Sequence, residues 1–496
     1  MKQAPGGRVL GVEKDEMVVV RDPAAWAMDD LGKGGGDGGG RATTNGPGGA
    51  KGPGSSIYGL YQRRYLVVIL TGLANFMVPF ADILFFPAVV AMMTDLKTSP
   101  SEMAATLAVP MFTSGAASLL WGPAADWAGR RPAFYAAALG LLGSSVGSAL
   151  APSVIALIVF RAIAGAACAG LLVTTNAMLA DIYEPAHRGK WMGFTSVPAL
   201  IAPTIGAPIG GALSVRFGWR STFAASAVVC AAILAYSLFT LKETLQYRVL
   251  CALRAAEGDA AADAVEEAPH ITKPKLEGPW RSVMYLFEAS IAPYALIAIL
   301  SQAAMIAAVA ALPGRIAVPP YSLDASQIGL AMLPVSLGSL IASPFGGILA
   351  DLSARRLPAA PSGRMLPGAL CAAGMFPVLL VAYGWLLQTG GPLAGVLAVT
   401  TFIGMPLCIY MPGLFSFMTI LKQAHAGAAN GIIQSATHIM QGVLTQVTPL
   451  AIVSMGFGGF LTLLAALVFV NAAAALLLIW RDASRAPRAD AEAPPP

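Results

Sequence analysis

The stretch GPAADWAGRRP, Gly122–Pro132, is repeated in outline by GGILADLSARRLP, Gly346–Pro358. Each holds a glycine, three residues, an aspartate, three more residues and an arginine pair. The first copy is Gly122, Asp126, Arg130 and Arg131; the second is Gly347, Asp351, Arg355 and Arg356. The two aspartates stand 225 residues apart in a chain of 496. A short charged motif written twice at about half a chain length implies a duplicated unit.

The text around both copies is apolar. Hydrophobic residues make up 56% of the chain and charged residues 11%, and the mean hydropathy is +0.68. Soluble domains carry about 25% charged residues, so lipid is the implied solvent. A helix needs about 20 apolar residues to cross a hydrocarbon core of about 30 Å. Twelve such spans are predicted, near 66–91, 102–122, 131–150, 154–179, 191–214, 219–241, 289–312, 327–349, 365–387, 391–420, 428–451 and 457–480. The tenth, with Pro406 and Pro412, is long enough to be tilted or broken. Each motif copy falls between the second and third span of its half, as in transporters built from two parallel six-helix repeats. The expected fold is all-α integral membrane, twelve transmembrane helices in two six-helix bundles. The bundles are expected at 65–241 and 289–480, joined by a linker at 242–288 and flanked by disordered tails at 1–64 and 481–496.

Charge sets the expected orientation. Loops on the side of the tails carry 17 lysines and arginines, leaving out the first 64 residues. The opposite loops carry four: Lys97, Arg216, Arg220 and Arg315. Positive loops favour the cytoplasm, so both tails are expected there. The net charge of +5 then reflects membrane orientation and calls for no nucleic-acid partner. The five cysteines lack metal-ligand spacing and read as free thiols. No metal site or cofactor is expected, because the four histidines, His187, His270, His425 and His438, lie on separate segments. No apolar region near Met1 suggests a signal peptide; Gly-rich GKGGGDGGG and NGPGGAKGPG read as a flexible tail.

The doubled motif resembles the major facilitator superfamily. Its signature after the second span is Gly-x-x-x-Asp-x-x-Gly-Arg-Arg/Lys, and Gly122, Asp126, Gly129, Arg130 and Arg131 match it fully. The second copy has Ala354 where glycine is usual. The resemblance covers roughly residues 65–480. It implies a conformational gate, in which the loop aspartate meets a helix of the opposite half and an arginine pairs with an acid after the fourth span. That acid would be Asp181, in LADIYEPAHRGK. The matching stretch of the second half, LKQAHAGAANG, has no acid, so that pairing is not expected there.

Three further stretches resemble the twelve-span drug:proton antiporter branch. FADILFFPAVV, residues 80–90, places Asp82 in span 1, where an ionised carboxylate is costly and usually functional. FRAIAGAACAG, residues 160–170, places Arg161 in span 4, where the resemblance implies proton coupling. Counting about 1.5 Å per residue puts Asp82 about 8 Å and Arg161 about 10 Å from the outer edge, so the two could meet. APTIGAPIGGAL, residues 202–213, is similar to the antiporter motif through Gly206, Gly210 and Gly211. Ala207 stands where that motif has proline, Pro208 follows one place later, and Pro198, Pro203 and Pro208 imply a bent helix. Packing and mechanism account equally well for these glycines.

Span 11 carries Gln434, His438, Gln441 and Thr445 at steps of four, three and four, hence on one face. The candidate cavity residues are Gln434, His438 and Gln441 with Asn75 and Asp82, which share a face of span 1. A satisfied interhelical hydrogen bond explains His438 as well as a cavity does. Isolated Gln302 reads as packing. The expected activity is proton-coupled secondary transport by alternating access, exporting small organic or cationic compounds, with a proton-coupled importer as the alternative. Its expected partners are a small-molecule substrate, protons and the bilayer, with no nucleic acid, and it is expected to work as a monomer in the plasma membrane. Scattered histidines and the absence of a Gly-rich loop ending in Lys-Ser/Thr argue against an enzyme or an ATP-driven pump.

Overall fold

The computed structural model describes residues 64–257, 283–288, 290–357, 361–421 and 426–485, with Tyr58, Tyr61 and Val265. The Gly-rich tail, the acidic middle of the long loop, His270, His425 and the final residues lie outside the described residues. Two compact units are distinguished. One comprises residues 1–62 and 245–273. Its described part is a helix, Gln246–Glu257, on which Leu250 and Leu253 are buried with Val265 and Tyr58 packs against them. The other comprises 63–244 and 274–496 and holds every span.

That second unit is twelve crossings in two six-helix bundles. Ten segments among the described residues are long and apolar enough to cross a membrane. One of these, Asn430–Asp482, runs for 53 residues and is two crossings. They divide at Gly456, whose φ of 74° favours glycine, and Gln388 Oε1 caps the new start by accepting from Gly458 N at 2.7 Å. The remaining crossing, Arg130–Ala149, has its hydropathy lowered by arginines, serines and glycines. The face carrying the two motif copies is called the motif face below.

Local chemistry explains the helix starts. Span 2, Pro100–Ala128, begins with a capping box, Ser99 Oγ accepting from Glu102 N at 3.2 Å and Glu102 accepting from Ser99 N at 2.9 Å. Span 4, Val154–Ile182, is capped by Ser153, and span 8 opens with the Asp324–Gln327 capping box. These starts lie on the face opposite the motif, where polar caps meet water. There too Asp95 accepts from Trp219 Nε1 at 2.9 Å and Arg220 Nη1 at 2.7 Å, tying the end of span 1 to span 6. The outer surface is apolar: Phe239 is 90% exposed and Val453 88%, as lipid requires.

Span 1 differs from the single run expected at 66–91. Its helix stops at Ile83, a 3₁₀ turn follows at Phe86–Ala88, and the helix resumes at Val89. Pro87 cannot donate to the ladder, so the break falls there. Span 10 is likewise in two pieces, Leu393–Ile403 and Met405–Leu421. Span 5 runs as one helix, Pro185–Phe217, through all three prolines.

The bundles are joined from the middle of the membrane toward the face opposite the motif. Ser435 Oγ donates to Gly115 O, Thr445 Oγ1 to Met111 Sδ at 3.8 Å, and Gln446 Nε2 to Ser101 O at 3.3 Å. Spans 5 and 8 meet there through a reciprocal pair of contacts. A methyl group on Gly211 would strike the Ala325 carbonyl, and one on Gly329 would strike the Ala207 carbonyl. Toward the motif face, by contrast, a methyl on Gly122 or Gly347 would meet nothing within 4 Å.

Candidate functional site

The break in span 1 positions the central carboxylate. Asp82 is the penultimate residue of the helix Arg64–Ile83, and its Oδ1 accepts from Arg161 Nη2 of span 4 at 2.9 Å. Arg161 is 5% exposed at its side chain, whereas Asp82 is 42% exposed. The guanidinium also donates from Nε to Thr106 O of span 2 at 3.4 Å and lies 4.4 Å from the centre of the Phe85 ring. A buried cation needs such partners, since an unpaired one costs several kcal/mol, about 3–5 when a partner is removed. Spans 1, 2 and 4 therefore meet at one charge, and the carboxylate is the partner left accessible.

Span 5 braces this arrangement. A methyl group at Gly210 would fall on the carbonyl of Leu84 within the span 1 break, and one at Gly206 would meet Ile83 and Phe80. Gly211 faces span 8 instead. Ala207 is fully buried, and it offers its carbonyl to Gly329 while Pro208 presents its Cα to the same glycine. The antiporter-like stretch thus packs on the Asp82 region with one side and on the second bundle with the other.

On span 1, Asn75 Nδ2 donates to Thr195 O of span 5 at 2.9 Å, and its Oδ1 is buried without a partner among the described residues. On span 11, Gln434 Nε2 lies 3.4 Å from His438 Nε2, while Gln441 and Thr445 are buried. Gln302 of span 7 has a buried Oε1 without a partner among the described residues.

Toward the motif face, Arg130 Nη1 meets Asp126 at 2.6 Å and Arg130 Nε meets Asp181 at 2.9 Å. Gly129, with φ of 95°, turns the chain between spans 2 and 3 so that Asp126 and Arg130 face each other. The carboxylate of Glu243, just past span 6, accepts from Arg130 N at 2.9 Å and Arg131 N at 3.4 Å. An acid at the positive end of span 3 is favoured there. Sequence reading missed Glu243.

The second copy is wired differently from its written pattern. Asp351 pairs with Arg364 at 3.4 Å, and Arg364 Nη1 also donates to Ser416 Oγ at 2.8 Å. Arg355 and Arg356, the matching pair in sequence, end span 8 exposed. Arg364 rather than Arg355 is the counterpart of Arg130, Ser416 of Asp181, and Asp482 of Glu243. Asp482, in the last turns after span 12, accepts from Ser362 Oγ at 3.2 Å. The signal was present as Gly363-Arg364 just before span 9, like Gly129-Arg130 before span 3. An insertion after Asp351 had moved it out of register, and the nearer Arg355-Arg356 took its place in the pattern.

These features, six plus six spans and a signature loop in each half, coincide with a family match. The Major Facilitator Superfamily model matches residues 71–445. The chain belongs to the major facilitator superfamily. Within it, the chain is 29% identical over 183 residues to an MFS antiporter, QDR3, of Candida albicans, covering 37% of this chain and 26% of that one. It is 31% identical over 157 residues to quinidine resistance protein 3 of Saccharomyces cerevisiae, covering 32% and 23%. The chain spans about a quarter of the length of these relatives. Among solved structures it is similar to a D-xylose-proton symporter, with a TM-score of 0.64, 15% identity, and coverage of 84% of this chain and 97% of that one. As a member of this superfamily the chain is a transport protein, not an enzyme. Among the described residues no cluster of metal-ligating side chains occurs.

Proposed function

We propose that this chain is a proton-coupled secondary transporter of a small organic solute, working by alternating access. The observation that carries the reading is the Asp82–Arg161 pair, a half-exposed carboxylate on a buried cation where spans 1, 2 and 4 meet. Protonating Asp82 releases the guanidinium from span 1 and leaves it to Thr106 O of span 2, so a proton alters the contact between spans. The gate is Gly122, Asp126, Gly129, Arg130, Arg131, Asp181 and Glu243 in the first half. In the second it is Gly347, Asp351, Arg364 and Ser416, and Arg355 and Arg356 act as orienting charges. The cavity uses Asn75, Asp82, Gln434, His438 and Gln441. Inter-bundle contacts on the opposite side and the open surroundings of Gly122 and Gly347 support access from the motif face. That face is cytoplasmic in this reading, with both tails beside it, in the plasma membrane, and the monomer is the working unit.

Two directions of coupling are supported by different relatives. Drug:proton antiport follows from the antiporter and quinidine-resistance names and from Gly206, Pro208, Gly210 and Gly211, over a part of the chain. Proton-driven uptake follows from the name of the symporter, whose fold is matched over 97% of its length. The test is vesicle reconstitution with an internal pH dye, using quinidine and D-xylose as first probes and then polyamines and organic acids. Cargo added outside acidifies the lumen by symport and alkalinises it by antiport. Asp82→Asn should abolish either signal while the protein stays folded, and wild-type proton movement by that variant would remove Asp82 from the mechanism. Arg161→Gln removes the buried partner of the Asp82 carboxylate and should lower proton-coupled transport, and Arg161→Lys, which keeps the charge without the planar fork, should lower it less.

A further inference from the structure

We propose that His438 recognises the cargo through its Nδ1–H, so that the cargo presents an uncharged acceptor oxygen to that ring nitrogen. The cargo class is then a hydroxyl-, carbonyl- or ether-bearing organic molecule, and a bare alkylammonium ion is a poor fit. The proposal deepens the transport reading above and rests on it.

Gln434 and His438 are one turn apart on span 11, and the Gln434 amide nitrogen faces the ring Nε2 at 3.4 Å. An amide NH₂ donates and does not accept, so with the Gln434 amide nitrogen turned to the ring the facing Nε2 accepts. On that orientation we assign the proton of the neutral imidazole to Nδ1. That Nδ1 is shut from solvent and has no partner among the described residues. Buried donors in native proteins are nearly always paired, and one left unpaired in a transporter interior marks where another molecule's acceptor belongs.

The full chain labelled with ¹⁵N-histidine tests the first half of the proposal. It has four histidines, so His438 is assigned by difference from His438→Asn. The expected ring is the Nδ1–H tautomer, with Gln434→Leu moving it toward Nε2–H; an Nε2–H ring in the wild type overturns the proposal. The second half is tested by binding to purified protein of quinidine and 9-deoxyquinidine, which differ in one hydroxyl. Asparagine at 438 places an amide N–H near the Nδ1 position, whereas glutamine places it near Nε2. Wild type and His438→Asn should prefer quinidine by roughly three- to tenfold in Kd, the worth of one neutral hydrogen bond. His438→Gln should lose the preference. Equal preference in all three proteins overturns the recognition role. Failure of the proton-coupling reading shows elsewhere, as unaltered proton flux in Asp82→Asn, and leaves the ring-nitrogen result standing.

Discussion

In the first bundle Arg130 lies between two carboxylates, Asp126 at 2.6 Å and Asp181 at 2.9 Å, whereas in the second Arg364 lies between one carboxylate at 3.4 Å and the Ser416 hydroxyl. The difference is also one of solvent. Asp181 is 15% exposed at its side chain and Asp351 72%. A buried, doubly paired cation is hard to separate from its partners, because each charge left behind is poorly solvated. A guanidinium on an exposed acid and a hydroxyl is released to water at little cost. Duplicated positions have therefore been kept while their energies diverged. The first cluster is the more firmly paired of the two and the second the weaker.

That contrast can be broken most severely at Arg130. Arg130→Ala strands Asp181 and should destabilise the protein by about 3 kcal/mol, measured as thermal unfolding in detergent. Arg364→Ala should cost under about 1 kcal/mol. Equal losses would show that the two clusters are energetically alike after all. Next in size is Asp126→Asn. It removes one of two charges from Arg130 and should alter the labelling of cysteine probes on the two membrane faces, with cargo affinity little changed. Asp351→Asn should do the same more weakly, and unaltered labelling in Asp126→Asn would refute a gate role for the motif.

Ser416→Asp sharpens the comparison by giving the second half the acid of the first. Arg364 would then sit between two carboxylates, and exchange between access states should slow, read as a lower turnover at unchanged KM. A rate equal to that of wild type would mean that the missing acid has no part in the asymmetry. At the next step down, Glu243→Gln weakens the cap on span 3 and should cost about 1 kcal/mol in thermal unfolding, more than Asp482→Asn, whose partner is a serine hydroxyl. The smallest effect belongs to Arg355→Ala and Arg356→Ala, within about 0.5 kcal/mol. A large loss there would restore them as the partners of Asp351.

The fold was legible because lipid imposes a coarse rule. A backbone in hydrocarbon must satisfy its own hydrogen bonds, so apolar runs become helices and can be counted. Breaks inside the runs were less legible. The composition of span 10 announced its interruption through Pro406 and Pro412, while Pro87 in span 1 passed for an ordinary apolar residue. The depth count placed Asp82 and Arg161 at similar levels, and the 2.9 Å contact is the kind of meeting that arithmetic on helix rise allows. Arg364, Ser416 and Asp482 were not legible, because an insertion after Asp351 shifted them from the register in which the first motif is written.

By itself the sequence determined the helices, their number, their division into two halves, and the few charges that an apolar chain must place with care. Those are consequences of local composition, since burial in lipid acts on each segment separately. Tertiary structure decided which charges face each other. It brought Arg161 to Asp82 across 79 residues and Arg130 to Asp181 across 51, and it gave Asp351 to Arg364 in place of the arginines written beside it. Ion pairing falls steeply with distance and depends on exclusion of water. Partners are therefore chosen by how helices pack, and neighbouring residues in the chain have no special claim.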